Sequence, residues 1–166
     1  MRNSATAAWV WRWPELDTDL LVVPEVASML QQHRQGRWWG PELGGQLFVD
    51  VDSPHGLRLA LATSPSSLDR ASRHWLELDA DRCRAEVVRA NAIGLRLVGY
   101  WHTHPQWLPA LSPRDILSFE RFSSLNALAL PHPLAVIVGW APGITGIRAW
   151  SMRREPIEAV HMVGSA

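Results

Sequence analysis

Residues 97–120 read LVGYWHTHPQWLPALSPRDILSFE, and the change of pattern inside this stretch decides how the chain folds. Leu97, Val98, Gly99, Tyr100 and Trp101 form an apolar run that reads as a buried strand, expected over 95–103. His102 and His104 follow, Pro105 stops the strand, and a short loop leads into Ser112-Pro113-Arg114-Asp115. Successive side chains of a strand alternate faces, so the two imidazoles point the same way, about 7 Å apart along the chain. Two imidazoles on one face at a strand end can share a metal ion. Asp115, in the first turn of the next helix, can add a carboxylate oxygen. Three protein ligands and one open position make the ligand count of a catalytic zinc, whereas a structural zinc is closed by four. The same four residues are also a good helix start: an N-cap Ser, Pro at the first helical position and an acid in the first turn. Cap and ligand both stand as readings of Ser112 and Asp115.

Working outward, residues 8–13 (AWVWRW) alternate large with small or polar side chains and read as an edge strand. Trp9, Trp11 and Trp13 share one face, which either packs onto the sheet or offers a stripe to a partner. A short strand is expected over 20–23. Pro24 opens a helix over 24–35 with Val26, Met29 and Leu30 inward, ended by Gly36. The loop 37–41 delivers Glu42, by itself an ordinary turn acid. Gly44-Gly45 permits close backbone approach. Strands 46–51 and 57–62 form a hairpin around a turn at 52–56, and 63–67 is a loop. His74 and Trp75 cover the core edge, and a helix runs from 79 or 81 to 91 with Cys83, Val87, Val88 and Ala90 available for packing. After Asp115 the helix continues through Leu125, and Pro131-His132-Pro133 breaks it. A near-continuous apolar strand is expected over 134–140, its partner over 144–152, and a last strand or tail over 156–162. Strands alternating with helices predict an α/β chain: a mixed sheet flanked by helices. One domain spans 1–166, with a Trp-rich N-terminal edge segment (1–19) and a C-terminal tail (153–166).

Composition narrows the function. The formal net charge is +0 and there is no basic block, which disfavours nucleic acid and anionic membranes as partners. No apolar run reaches the ~20 residues of a transmembrane span. The N-terminal residues lack a charged region leading into a sustained apolar one, so a cytoplasmic location is expected. Cys83 is the single cysteine, which removes disulfides and cysteine-based zinc sites. All 16 basic side chains are Arg, with no Lys. A GC-rich genome accounts for that; the sharper reading is a protein that avoids modification by lysine-directed enzymes around it.

The pattern His102-x-His104-x7-Ser112-x2-Asp115 resembles the signature of the JAMM/MPN+ metalloproteases, which cut isopeptide or peptide bonds after ubiquitin-like proteins. That family also carries an upstream glutamate, commonly followed by Gly-Gly and apolar residues, and Pro41-Glu42-Leu43-Gly44-Gly45-Gln46-Leu47-Phe48 is similar to it. Gly99-Tyr100-Trp101-His102-Thr103-His104-Pro105 is closer to the prokaryotic JAB-type members found in mobile elements and anti-phage operons beside ubiquitin-activating-like and conjugating-like enzymes. The likeness runs loosely over 20–150, and the two motifs carry its specificity.

The resemblance implies an MPN/JAB domain with cytidine-deaminase-like layering and one Zn2+ on His102, His104 and Asp115. It implies Glu42 as general base and then acid, and Ser112 as donor to the oxyanion, a role worth ~10²–10³ in rate. Trp101 and Trp107 are expected to wall the site. The loop 63–67 falls where the family contacts substrate, so Asp69, Arg70 and Arg73, just after it, either meet the substrate tail or are surface charge. The partner implied is a ubiquitin-like protein or its conjugate, including sulfur carriers that end in Gly-Gly. Other zinc hydrolases fit worse: a zinc deaminase needs His-x-Glu and Pro-Cys-x-x-Cys, and no His-Glu-x-x-His occurs. The rival from another class is a metal-free MPN-type scaffold for protein binding. Zinc content separates the two: the purified protein is expected to carry about one equivalent, and metal-free protein that cannot be reloaded would favour the scaffold.

Overall fold

Tryptophans at alternate positions give β1 (Trp9–Trp13) one large apolar face, in a computed structural model that describes residues 7–36, 39–125, 133–153 and 155–162. A 3-10 turn at Pro14–Leu16 leads to β2 (Thr18–Val22) and then α1 (Pro24–Gln32), which starts on Pro24 as expected. This helix stops short of Gly36 because the next side chains are used elsewhere. His33 Nδ1 pairs with Met29 O at 2.8 Å, and Arg34 donates to Gly139 O and Ala141 O, both at 2.6 Å. There follow β3 (Gly44–Asp50), β4 (Arg58–Ala62), a hairpin of β5 (Arg70–Ser72) and β6 (Trp75–Glu77), and α2 (Ala80–Ala92). Asp79 caps α2 through Arg82 N at 2.8 Å, and Gly94, at φ +85°, turns the chain away from it. The rest is β7 (Arg96–Thr103), α3 (Pro113–Leu125), β8 (Leu134–Val138), a 3-10 turn at Gly143–Gly146, β9 (Ile147–Ser151), β10 (Ile157–Glu158) and β11 (Val160–Met162). The expected break at Pro131-His132, the loop residues Arg37 and Trp38, and positions 1–6 and 163–166 lie outside the described residues.

Among the described residues, nine strands form one mixed sheet in the order β10-β9-β8-β7-β3-β4-β2-β1-β11, with β5 and β6 as a separate pair. Only β2–β4 and β7–β8 pair in parallel within it. The two outermost strands are neighbours in sequence. Ile157 and Glu158 pair with Ser151 and Trp150, Ala159 N–H donates to Ala149 O at 2.9 Å, and Val160, His161 and Met162 pair with Arg12, Trp11 and Val10. One segment thus bridges both rims, and the sheet curls round to meet it. Trp13 Nε1 donates to Ile157 O at 2.8 Å and His161 stacks on Trp11, fastening the seam. β1 is therefore not an edge strand; β11 covers it.

The curled sheet encloses the larger core: Trp9, Trp11, Trp13, Leu47, Leu59, Trp101, Val136 and Ile147, capped by Val26 and Leu30 of α1. The tryptophan stripe faces inward, so the partner-surface reading of it falls. The opposite face of β7–β9 carries Tyr100, Ala135, Ile137 and Trp150, covered by Ile116, Phe119 and Phe122 of α3. α2 adjoins β3 on that side: Gln46, turned so that both ends of its amide are satisfied, donates to Cys83 O and Glu86 Oε2 at 3.0 and 2.9 Å. Val88 of α2, expected to pack, is 69% exposed. Among the described residues, no helix is long and apolar enough to cross a membrane.

The hairpin at 70–77 lies in a stretch to which the sequence pattern assigns no element. Asp69 closes its base, accepting from Ser66 N (3.1 Å), Asp79 N (2.8 Å) and both Nε and Nη2 of Arg82 (2.8 and 2.6 Å). Asp69 is thus a buried clamp rather than a substrate contact.

Gly99 lets β7 and β8 approach: a Cβ there would lie 1.8 Å from Leu134 O, against backbone that cannot swing aside. Gly99→Ala should destabilise the fold by about 3 kcal/mol, at the upper end of ordinary overpacking. Urea unfolding measures it, and an unchanged midpoint would disprove the packing argument.

Candidate metal centre

The alternation of β7 sends Trp101 and Thr103 into the enclosed core, and Tyr100 and His102 to the face under α3. His104 continues this pattern one step past the strand, because its N–H still donates to Val138 O of β8 at 2.9 Å. Both imidazoles are buried, His102 at 8% and His104 at 6% exposure. Their Nε2 atoms face each other at 3.1 Å. Asp115 Oδ1 lies 2.9 Å from His102 Nε2, and Oδ2 lies 3.3 Å from His104 Nε2. Bonds of 2.0–2.1 Å in tetrahedral geometry set ligand atoms about 3.3–3.4 Å apart. The separation of the two imidazole nitrogens sits close to that edge length, so the histidines could share a divalent metal, and Asp115 meets the two rings through different oxygens.

Glu42 approaches from the other side, with its carboxylate 3.8 Å from His104 Nε2. Buried Glu42, His102 and His104 bring one ligand atom each within 4.8 Å of one another, a group that could hold a metal ion. The backbone around Glu42 is tightly held. Its N–H donates to Ser72 O at 2.8 Å; Leu43 N donates to Thr103 Oγ1, and Thr103 N to Leu43 O, both at 2.9 Å. Gly44 then pairs with His102 across β3–β7. A Cβ on Gly44 would lie 2.4 Å from Trp101 O, so the glycine after Leu43 is what lets the glutamate strand lie against the histidine strand.

Ser112 and Asp115 satisfy both readings at once. Ser112 Oγ and N donate to Asp115 Oδ2, each at 2.7 Å, and Asp115 N donates to Ser112 Oγ at 3.1 Å. This reciprocal cap starts α3 and also fixes the carboxylate against the imidazoles. Burial pushes the Glu42 carboxyl above the ordinary glutamate range, against the lowering charges of His102 and His104. Burial alone would do the same to Asp115, but hydrogen bonds from His102, His104 and Ser112 hold it far below the carboxylate range. For His104, burial lowers the pKa, and the Asp115 hydrogen bond and charge outweigh it, with Glu42 and Gln106 adding to the rise.

The flanking residues divide. Trp101 is fully buried, its Nε1 donates to Thr63 O at 3.0 Å, and it packs in the core while also lining the cavity that holds Glu42, His102 and Asp115. Trp107 is 63% exposed on the loop after Pro105, outside the cavity. Arg70 lies across the hairpin from Glu77 at 3.7 Å in the open, and Arg73 sits at the hairpin turn, where its carbonyl accepts from Gln35. Neither arginine lines the cavity beside Glu42, His102 and Asp115. That cavity, about 450 Å3, is walled by His74, Trp75, Leu76 and Leu78 of the hairpin segment, Cys83 of α2, Tyr100, and Arg114, Ser118, Phe119 and Phe122 of α3. The helical spacing of Phe119 and Phe122 was legible as a packing face; the hairpin wall had no sequence signal.

No family model matches the chain, and no curated protein matches it. Solved structures do. The solution structure of a Desulfitobacterium hafniense protein superposes with a TM-score of 0.57 at 17% identity, over 85% of this chain and 89% of that one. A Salinibacter ruber protein, also solved in solution, gives 0.50 at 26% identity over 82% and 86%. The first likeness is one of fold alone.

The His104–Asp115 pair fixes the sign of a pH effect in metal-free protein. The His104 pKa is raised above its usual 6.5, so the stability it contributes is complete below that value. It is lost as pH rises through the folded pKa. Urea unfolding in chelator should therefore show stability declining as pH rises above about 6.5, and Asp115→Asn should flatten that decline. An equal slope in both proteins would dismiss the pairing.

Proposed function

We propose that this chain is a zinc-dependent peptidase of the JAMM/MPN+ type, acting on the C-terminal tail of a ubiquitin-like protein or its conjugate. The observation that carries the reading is the convergence of His102, His104 and Asp115 at mutual distances of 2.9–3.3 Å with buried Glu42 3.8 Å from His104. The motif order along the chain and the mixed sheet, with α1 on one side and α3 on the other, support an MPN domain. In this reading His102, His104 and Asp115 are the three ligands and Glu42 is the catalytic carboxylate. Asp115 suits the ligand role because its charge persists at all ordinary pH. Glu42 suits the other because burial makes it a better proton acceptor.

His102, His104 and Asp115 would hold a zinc ion there, which would supply Lewis acidity and bring the pKa of a water toward about 7. Glu42 takes a proton from the attacking water and returns it to the leaving amine, so its raised pKa serves both halves of the turnover. At rest the Ser112 hydroxyl donates to Asp115 Oδ2 at 2.7 Å; turned away from that oxygen, the same hydroxyl would donate to the developing oxyanion. The Ser112 N–H keeps its bond to the carboxylate, so α3 stays capped while the hydroxyl turns. The cavity, with Leu76, Tyr100, Phe119 and Phe122 in its wall, gives the substrate tail an apolar bed beside the ligands. Isopeptide conjugates, linear precursors and sulfur-carrier proteins ending in Gly-Gly share the same scissile chemistry. Adjacent activating-like and conjugating-like genes would point to deconjugation in an anti-phage setting.

Glu42→Gln is expected to keep about one zinc equivalent and to lose ~10²–10⁴-fold in cleavage. Elemental analysis and a cleavage assay on lysine-linked and linear ubiquitin-like fusions read the two quantities. Full activity in that variant would remove Glu42 from the chemistry.

A further inference from the structure

Glu42 is fastened on its C-terminal side by Thr103 and by the pairing of Gly44, but on its N-terminal side it hangs from a loop. That loop is held from an unexpected direction. Gln35, three residues beyond α1 and 2% exposed, donates from Nε2 to Gly40 O at 2.5 Å and to Arg73 O at 3.3 Å. Gly40 lies two positions before Glu42. Arg73 follows Ser72, whose carbonyl takes the Glu42 N–H. The backbone of Gln35 is itself pinned, since its carbonyl accepts from Trp140 Nε1 at 2.8 Å. One amide thus ties together the two pieces of main chain between which Glu42 is suspended.

The chemistry of the residue argues that this tie serves the site and not the core. Gln35 Oε1 is buried with no hydrogen-bond partner among the described residues. A buried amide with an unmet carbonyl is a poor stabiliser, and an apolar side chain of the same length would fill the space at lower cost. Its two donations, however, set the distance between the Gly40 strand of the loop and the hairpin turn, and no apolar side chain can do that. We infer that Gln35 is the positioning residue that holds the Glu42 carboxylate over the His102–His104 pair, by bridging Gly40 O and Arg73 O. The inference rests on the proposed role of Glu42.

The test uses the full chain with Co2+ in place of zinc, and reads two signals. Gln35→Met should raise amide exchange at Glu42 about a hundredfold over wild type. It should also shift the Co2+ visible bands at least half as far, and in the same direction, as Glu42→Gln does. Trp140→Phe, which removes the Nε1 bond to Gln35 O and leaves the Gln35 amide in place, should lower Tm while moving both signals less than half as far as Gln35→Met does. Unchanged exchange and unchanged bands in Gln35→Met overturn the inference, as does an equal response in Trp140→Phe. If Gln35→Met does not fold, Gln35→Asn, whose amide is one methylene too short to reach both Gly40 O and Arg73 O, takes its place in the same comparison, with the same outcomes deciding. Failure of the wild type to bind Co2+ would instead overturn the proposed function, and the exchange comparison in metal-free protein still judges Gln35 on its own.

Discussion

The burial of Trp101 is the constraint on which the site depends. β7 runs through the middle of the sheet, between β3 and β8, with a different chemistry required on each face. Trp101 fills the enclosed core and Thr103 anchors Leu43 beside it, so Tyr100, His102 and His104 must emerge on the side covered by α3. A strand has a period of two, and a slip of one residue would put both imidazoles in the core and the indole in the site. Gly44, Gly45 and Gly99 make that register attainable, because each lies where a Cβ would strike backbone of the neighbouring strand or loop. The two candidate ligands His102 and His104 are thus oriented by apolar packing on the other face of their own strand.

Much of this was legible in the chain. The central strand, the hairpin of β3 and β4, the capped start of α3 and the apolar run of β8 each follow from local pattern, and the structure puts them within a few residues of expectation. The close approach of Gly44-Gly45 was readable too. The parts that were not legible are those whose signal is tertiary. β5 and β6 are three residues long with no apolar alternation, and they exist because Asp69 and Arg82 draw their base together. α1 ends at Gln32 and not near Gly36 because Arg34 and Gln35 find carbonyls more than thirty residues away. Trp101 and Trp107 stand on either side of the histidines in sequence, yet one is fully buried and the other 63% exposed. Trp101, next to His102 on the strand, takes the opposite face, and Trp107 lies beyond the strand in the loop.

The ion cluster under the hairpin follows the same logic. Arg82 Nη1 reaches Glu86 Oε1 at 2.8 Å while its Nε and Nη2 grip Asp69, and the Arg82 and Asp69 side chains are 9% and 5% exposed. A buried pair of this kind adds little net stability unless its remaining groups are hydrogen-bonded. Here the backbone amides of Ser66 and Asp79 complete Asp69, and Gln46 completes Glu86. The cluster gives geometry: it fixes the hairpin that presents Ser72 O to Glu42 and Leu76 to the cavity.

The seam made by residues 157–162 bears on how the molecule comes into being. Trp13 and the carbonyl it donates to are 144 residues apart, so the first strand made waits for nearly the last. During synthesis at roughly 5–20 residues per second, β1 has an open flank for several seconds with three indoles beside it. Such a flank is where an unfinished chain pairs with the wrong neighbour. Arg12 and Asp19, bound through two contacts of 2.7 and 2.6 Å on the outward side of β1 and β2, put charge on that ribbon from the start. A nascent chain so marked is a poor template for aggregation while it waits for its closing strand.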